Sequence, residues 1–254
     1  MGGWRTRRLT GRPQYTIALR DDHACFLDQP EWQDIIRTKL PDSMIQEEWE
    51  DSYRCLPLTC LIPRLFHECR DIVRNKWSQT PDRINAFVAA VSLLRQSFLD
   101  MAEKYDWKPG RYSPLLAPRS AHDGWRVFCD KEDLRAANYG NFLSGLVVVN
   151  RMLFSVRPSA VHVEQDSRAS ALEIQYLHSF IKTEPRLNSM VMIHSERVAL
   201  AIVLTSNHWS AERSSANGPA GDPKTPGGGN IIDVDKFNHF DAILCAKTIH
   251  APLV

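Results

Sequence analysis

Residues 139–154 read YGNFLSGLVVVNRMLF, and this stretch decides the fold. Tyr139, Phe142, Leu143, Leu146, Val147, Val149, Leu153 and Phe154 fall on more than half the circumference of a helix. An amphipathic surface helix keeps a polar face, so one greasy nearly all round belongs at the centre of a bundle. The pattern predicts that central helix over 131–156, with Pro158 ending it.

Helical periodicity continues on both sides. Upstream, Thr80 can cap a helix, Pro81 suits its first position, and Asp82 complements its positive end. Ile84, Phe87, Val88, Val91, Leu94, Phe98, Met101 and Tyr105 then form one stripe, halted by Pro109-Gly110. Further back, Leu61, Ile62, Leu65, Cys69, Ile72 and Val73 recur at three- and four-residue steps. Pro57 can sit in a first turn there. Pro63 falls inside the pattern and must kink the helix or start a new one. Downstream, 164–182 reads as amphipathic through Leu172, Gln175, Tyr176 and Phe180. Asn188 or Ser189 can cap a last clear helix over 190–209, striped by Val191, His194, Val198, Ala201, Ile202, Thr205 and Trp209.

The ends read differently. Residues 1–24 form an irregular basic arm, and a short element over 31–39 stops before Pro41. Residues 210–230 are rich in Gly, Pro, Ser and Asn, too poor in apolar side chains to pack, and read as a disordered linker. The tail, 231–254, offers one short helix around Phe237, Phe240 and Cys245. No strand runs alternate with helices and no repeat has a constant period. The expected fold is all-α, an irregular bundle of about six helices spanning 25–209.

Composition narrows the function classes. The 254 residues are 43% hydrophobic and 24% charged, with a net charge of +1, which argues against whole-surface attraction to nucleic acid or acidic membranes. The six cysteines (Cys25, Cys55, Cys60, Cys69, Cys129 and Cys245) are scattered through apolar sequence, unlike a secreted disulfide scaffold. The basic start lacks the apolar run of a signal peptide. The most apolar long stretch, 190–209, carries Glu196 and Arg197 at its middle, so no membrane span is expected. Reducing, intracellular surroundings are the expectation.

No reaction centre is legible. Cys55 and Cys60 are five apart, His67 and Cys69 would diverge on a helix, and no second close pair completes a tetrahedral site. His239 and Asp241 lie in the weak tail. Ser144-Gly145 lacks the flanking glycines of a hydrolase elbow and reads as small-residue helix packing. Gly227 to Gly229 are not followed by the Lys-Ser/Thr of a phosphate loop. Glu47-Glu48 and Asp21-Asp22 read as solvated carboxylates. Arg5, Arg7, Arg8 and Arg12 read as a solvated terminus, and Arg95, Arg151 and Arg197 as packing residues on apolar faces. The sequence thus predicts no catalytic, cofactor-binding or metal-ligating residues.

Several segments in succession resemble one family. Phe26-Leu27-Asp28-Gln29-Pro30-Glu31-Trp32 resembles the F-L-x-x-P-E-W segment of fungal-specific zinc-cluster transcription factors. Leu61-Ile62-Pro63-Arg64-Leu65-Phe66 is similar to their hydrophobic-P-x-L-L segment. Tyr139 to Phe154, closing on Asn150-Arg151-Met152-Leu153, resembles their central helix, and Ala201 to Trp209 their A…T…W ending. The likeness covers 25–209 and implies the helical regulatory region of such factors. It further implies a nuclear location and control of a metabolic gene set, secondary metabolism included. Implied partners are the transcription machinery or a homo- or heterodimer mate. The family's DNA-reading cluster needs C-x2-C-x6-C repeated, a spacing these cysteines lack, which argues against direct DNA binding. The expectation is a shortened family member, a regulatory region acting without its own DNA reader, or an incomplete gene product. The competing expectations are a small-ligand binder or enzyme with a pocket between helices, and a scaffold dimerising through the stripe from Ile84 to Tyr105.

Overall fold

The computed structural model describes residues 18–19, 25–32, 34, 55–104, 107, 133–157, 159–183, 193–216 and 234–245. The basic arginines of the arm, Tyr105, Pro109-Gly110, Cys129, Trp209's side chain, Glu47-Glu48, Asp21-Asp22 and Gly227 to Gly229 lie outside what is described. Six α-helices carry the architecture: α1 (Ile62–Arg74), α2 (Pro81–Lys104), α3 (Asp133–Val156), α4 (Val161–Thr183), α5 (Ile193–Ala216) and α6 (Val234–Cys245). No strand occurs among the described residues, so the all-α expectation holds.

The local signals act as chemistry predicts. Pro63 lies in the first turn of α1, where its missing N–H costs nothing, so it starts the helix and does not kink it. A separate turn at 55–59, carrying Pro57, leads in. Asn75 closes α1 with its amide on the Asp71 carbonyl at 3.0 Å. Thr80 caps α2, its Oγ1 accepting from the Arg83 N–H at 3.3 Å.

α3 touches all five other helices. Every residue from Phe142 to Leu153 is buried, as the opening stretch demands. Trp107, Phe98 and Tyr139 converge on Phe142, with ring centroids 5.5, 5.7 and 6.1 Å away. Phe66 of α1 meets Phe237 and Phe240 of α6 at 5.5 and 6.4 Å. At Gly145 α3 comes close to its neighbours. A Cβ built there would lie 2.9 Å from Phe98 Cζ and 3.4 Å from Ile62 Cδ1. The small-residue packing expected of Ser144-Gly145 is thus what Gly145 provides.

Four sequence expectations change. In α4 the buried face is Val163, Ser167, Ser170, Ala171, Ile174 and Leu177, while Leu172 is exposed. Small hydroxyl residues, which look polar in sequence, let α4 lie close to α3. α5 continues to Ala216, seven residues into the expected linker, because 210–216 contain no Gly or Pro and the breakers begin at Asn217-Gly218. Ala18 and Leu19, placed in the irregular arm, are helical and buried. Finally, the stripe offered as a dimer face is in large part occupied: Phe87, Val91, Leu94, Phe98 and Met101 are buried within the chain's own core.

Gly145→Val should lower unfolding free energy by about 2 kcal/mol, overpacking against Phe98 outweighing any gain in helix propensity. The urea midpoint measures this, and Phe98→Leu in the same chain should recover part of the loss.

Candidate functional site

Arg70, Arg95 and Arg151 each meet a carboxylate. Arg151 of α3 is wholly buried, and so is Glu164 of α4. Arg151 Nη1 lies 3.1 Å from Glu164 Oε2, and Nη2 donates to Oε1 at 3.2 Å. Arg168, one turn beyond Glu164 in α4, donates to the same Oε1 at 2.9 Å. Burial draws the Arg151 pKa down to about 9, opposed by the Glu164 charge, so it stays a cation at neutral pH. Its guanidinium also faces the Phe240 ring at 5.8 Å. Arg95 of α2 donates to Asn150 Oδ1 at 2.8 Å and to Asp166 at 2.6 Å, tying α2 to α3 and α4.

The second buried pair lies at the opposite end of the chain order. Arg70 of α1 grips Asp241 of α6 in a fork, Nε at 2.9 Å and Nη2 at 2.6 Å. Arg70 Nη2 also reaches the Leu19 carbonyl at 3.3 Å and Cys245 Sγ at 2.9 Å. Its guanidinium carbon stands 4.8 Å from the centre of the Phe66 ring, a cation–π contact. Burial, with Asp241 second, pushes the Cys245 thiol up to about 12, which leaves it protonated and inert. An open groove of about 500 Å³ runs past this pair, lined by Arg70, Arg74, Asn238, Asp241, Ala242 and Cys245. Arg74 Nη2 stands 3.9 Å from Asp241, so two cations share one carboxylate and the lip is weakly positive.

The remaining candidates are dispersed. Cys55 belongs to the main core, while Cys60 belongs to a small cluster with Ala18, Cys25 and Leu27. Cys69 is buried with its thiol directed at the Met152 carbonyl, 3.9 Å away, and burial raises its pKa. His67 and His239 are exposed. Among the described residues no three His, Cys, Asp or Glu side chains gather as metal ligands. Ser144 Oγ donates to the Asn141 carbonyl of its own helix at 2.8 Å. Arg197 is half-buried in α5. Sequence reasoning weighed Asp241 only beside His239 as a metal pair, and did not single out Glu164 or Glu173, the last accepting a 2.9 Å hydrogen bond from buried Tyr139. The i,i+4 spacing of Glu164 and Arg168 was the one available signal. Among the described residues no helix is long and apolar enough to cross a membrane.

Comparison with family models, with curated proteins and with solved structures finds no match to this chain.

Two predictions concern stability. Glu164→Gln should cost about 3 kcal/mol, because Arg151 keeps its charge in the core without a counterion; Arg151→Met with Glu164→Leu should cost clearly less than the two single changes added together. A double-mutant cycle in urea reads the difference. The second concerns His194, whose pKa is lowered from 6.5 to about 3, by burial first and by Arg197 second. Between those values the unfolded chain binds a proton that the folded chain refuses, so stability falls as pH drops below 6.5. His194→Gln should flatten that part of the profile of urea midpoint against pH.

Proposed function

We propose that the chain is a regulatory module of the transcription-factor type, working through protein partners in the nucleus and acting on a metabolic gene set, secondary metabolism among the candidates. The observation that carries the reading is the ordered succession of family-like segments. Those segments occupy structurally decisive positions. Leu61 to Phe66 opens α1, Tyr139 to Phe154 is the body of α3, and Ala201 onward is the middle of α5. α1 and α5 both pack on α3. Within the family-like Asn150-Arg151-Met152-Leu153, Arg151 is the buried cation and Asn150 holds Arg95. Segments that meet in one core form a coherent unit, as a shared regulatory fold requires.

A second reading, a small-ligand binder, draws on the groove beside Arg70 and Arg74. Its lip would favour a small carboxylate, and a thermal shift on adding simple dicarboxylates would support it.

For the regulatory reading, an epitope-tagged chain should be recovered in nuclei, and deletion of the gene should change a coherent set of metabolic transcripts. Unchanged expression across all transcripts would overturn it.

A further inference from the structure

We propose that Cys25 and Cys60 form a reversible disulfide, made by a hydroperoxide, that latches the N-terminal segment onto the entry of α1. This inference is independent of the regulatory reading.

The two cysteines are 35 positions apart in sequence, yet both are buried in one small cluster with Ala18 and Leu27, flanked by Leu56. Their side chains lie close enough to interact directly within that cluster. Both thiols are free. The neighbouring structure holds them in register. Cys25 leads into a short 3-10 turn, Phe26–Asp28, closed by the Asp28 amide on the Cys25 carbonyl at 2.9 Å. Asp28 then pairs with Arg64 of α1 at 3.0 Å, four residues beyond Cys60. On the other side, the Cys60 amide donates to the Leu56 carbonyl at 3.0 Å.

The pair is chemically asymmetric. The hydrogen bond from Cys60, helped by the Leu27 and Asp28 amides and opposed by burial, lowers the Cys25 thiol to about 7. Cys60, the donor, is pushed in the opposite direction and keeps its proton. Cys25 is therefore the attacking thiolate and Cys60 the resolving thiol. The Cys25 thiolate attacks one peroxide oxygen, the O–O bond breaks, and the departing hydroxide takes a proton to become water. Cys25 is left as a sulfenic acid. With the thiolate charge gone, the strongest hold on the Cys60 proton is released, leaving burial and the Asp28 charge. The Cys60 sulfur attacks the Cys25 sulfur, the S–O bond breaks, and hydroxide leaves with the Cys60 proton as a second water. Two thiols and one hydrogen peroxide become one disulfide and two waters; the sulfurs lose two electrons and the peroxide gains them. In the reducing surroundings expected from the sequence, the dithiol is the resting form and the disulfide a response.

The test treats the full chain with one equivalent of hydrogen peroxide, blocks remaining thiols by alkylation under denaturing conditions, and maps tryptic peptides. Cys55 and Cys60 leave trypsin on one peptide, 55–64, so Cys55→Ser is run in parallel. The expected product joins 21–37 to 55–64. It should persist in Cys55→Ser, be lost in both Cys25→Ser and Cys60→Ser, and disappear on dithiothreitol treatment. Because the wild-type chain needs no variant to fold, fragmentation of its cross-linked peptide, showing whether Cys55 or Cys60 carries the alkyl group, decides alone. A bridge to Cys55 or Cys69, sulfinic acid on Cys25 with no cross-link, or both thiols still fully alkylated would each overturn the proposal.

Discussion

The ion pair between Arg151 and Glu164 constrains everything around it. A helix buried on every side leaves a long cationic side chain no path to water, and α3 is such a helix from Phe142 to Leu153. Stranding that charge would cost several kcal/mol, on the order of 3–5, so a carboxylate has to be brought to it. Glu164 sits in the first turn of α4, only 13 positions later. The turn between is short and closed by backbone bonds from Arg157 to Leu153 at 2.8 Å and from Ala160 to Arg157 at 3.1 Å. The pair therefore fixes how far α4 slides along α3, and Ser167, Ser170 and Ala171 follow into contact. Such a pair adds little net stability over apolar residues of equal volume; what it supplies is register.

The same logic explains α6. A 12-residue helix is marginal by itself in water. Phe237 and Phe240 bury against Phe66, and Asp241 answers Arg70. The Arg70 guanidinium simultaneously holds the Leu19 carbonyl, so one side chain of α1 gathers pieces from both ends of the chain. A short tail whose buried apolar residues are Phe237, Phe240 and Leu244 becomes structured because buried Asp241 has a fixed partner waiting.

What could be read in advance follows from range. The stripes of α1, α2 and α5, the Thr80 cap and the central place of α3 are local, since periodicity and capping act within a few residues of sequence. The ion pairs are not. Arg70 and Asp241 stand 171 positions apart, and Arg95 and Asp166 stand 71 apart. Arg151 was recognisable as a cation on an apolar face, but its partner could be chosen only from coordinates. α4 was misjudged for a different reason. The middle of its buried side is built from Ser167, Ser170 and Ala171, whose smallness matters more than their polarity when two helices lie close, and hydrophobicity counting is blind to that. The Cys25–Cys60 contact joins segments that no sequence spacing relates.

These contacts also bear on what the molecule can do with its charges. Among the described residues, Arg70, Arg151, Glu164, Glu173 and Asp241 are, with His194, the acidic and basic side chains most withdrawn from water, and Arg95 is half-buried; such burial ordinarily invites a catalytic reading. Each of these arginines and carboxylates instead meets a partner on a different helix or on the next turn, and the pairings run between elements rather than around one cavity. Their geometry joins α1 to α6, α2 to α3 and α4, and α3 to α4. In the proposed regulatory reading this is coherent: partner recognition needs a rigid helical body presenting a surface, and a body held by inter-helix ion pairs keeps its faces in fixed relation. The aromatic and aliphatic side chains left outside, Trp77 at 91% exposure and Leu93 at 71%, are then surface features of that body, set in place by charges the solvent never reaches.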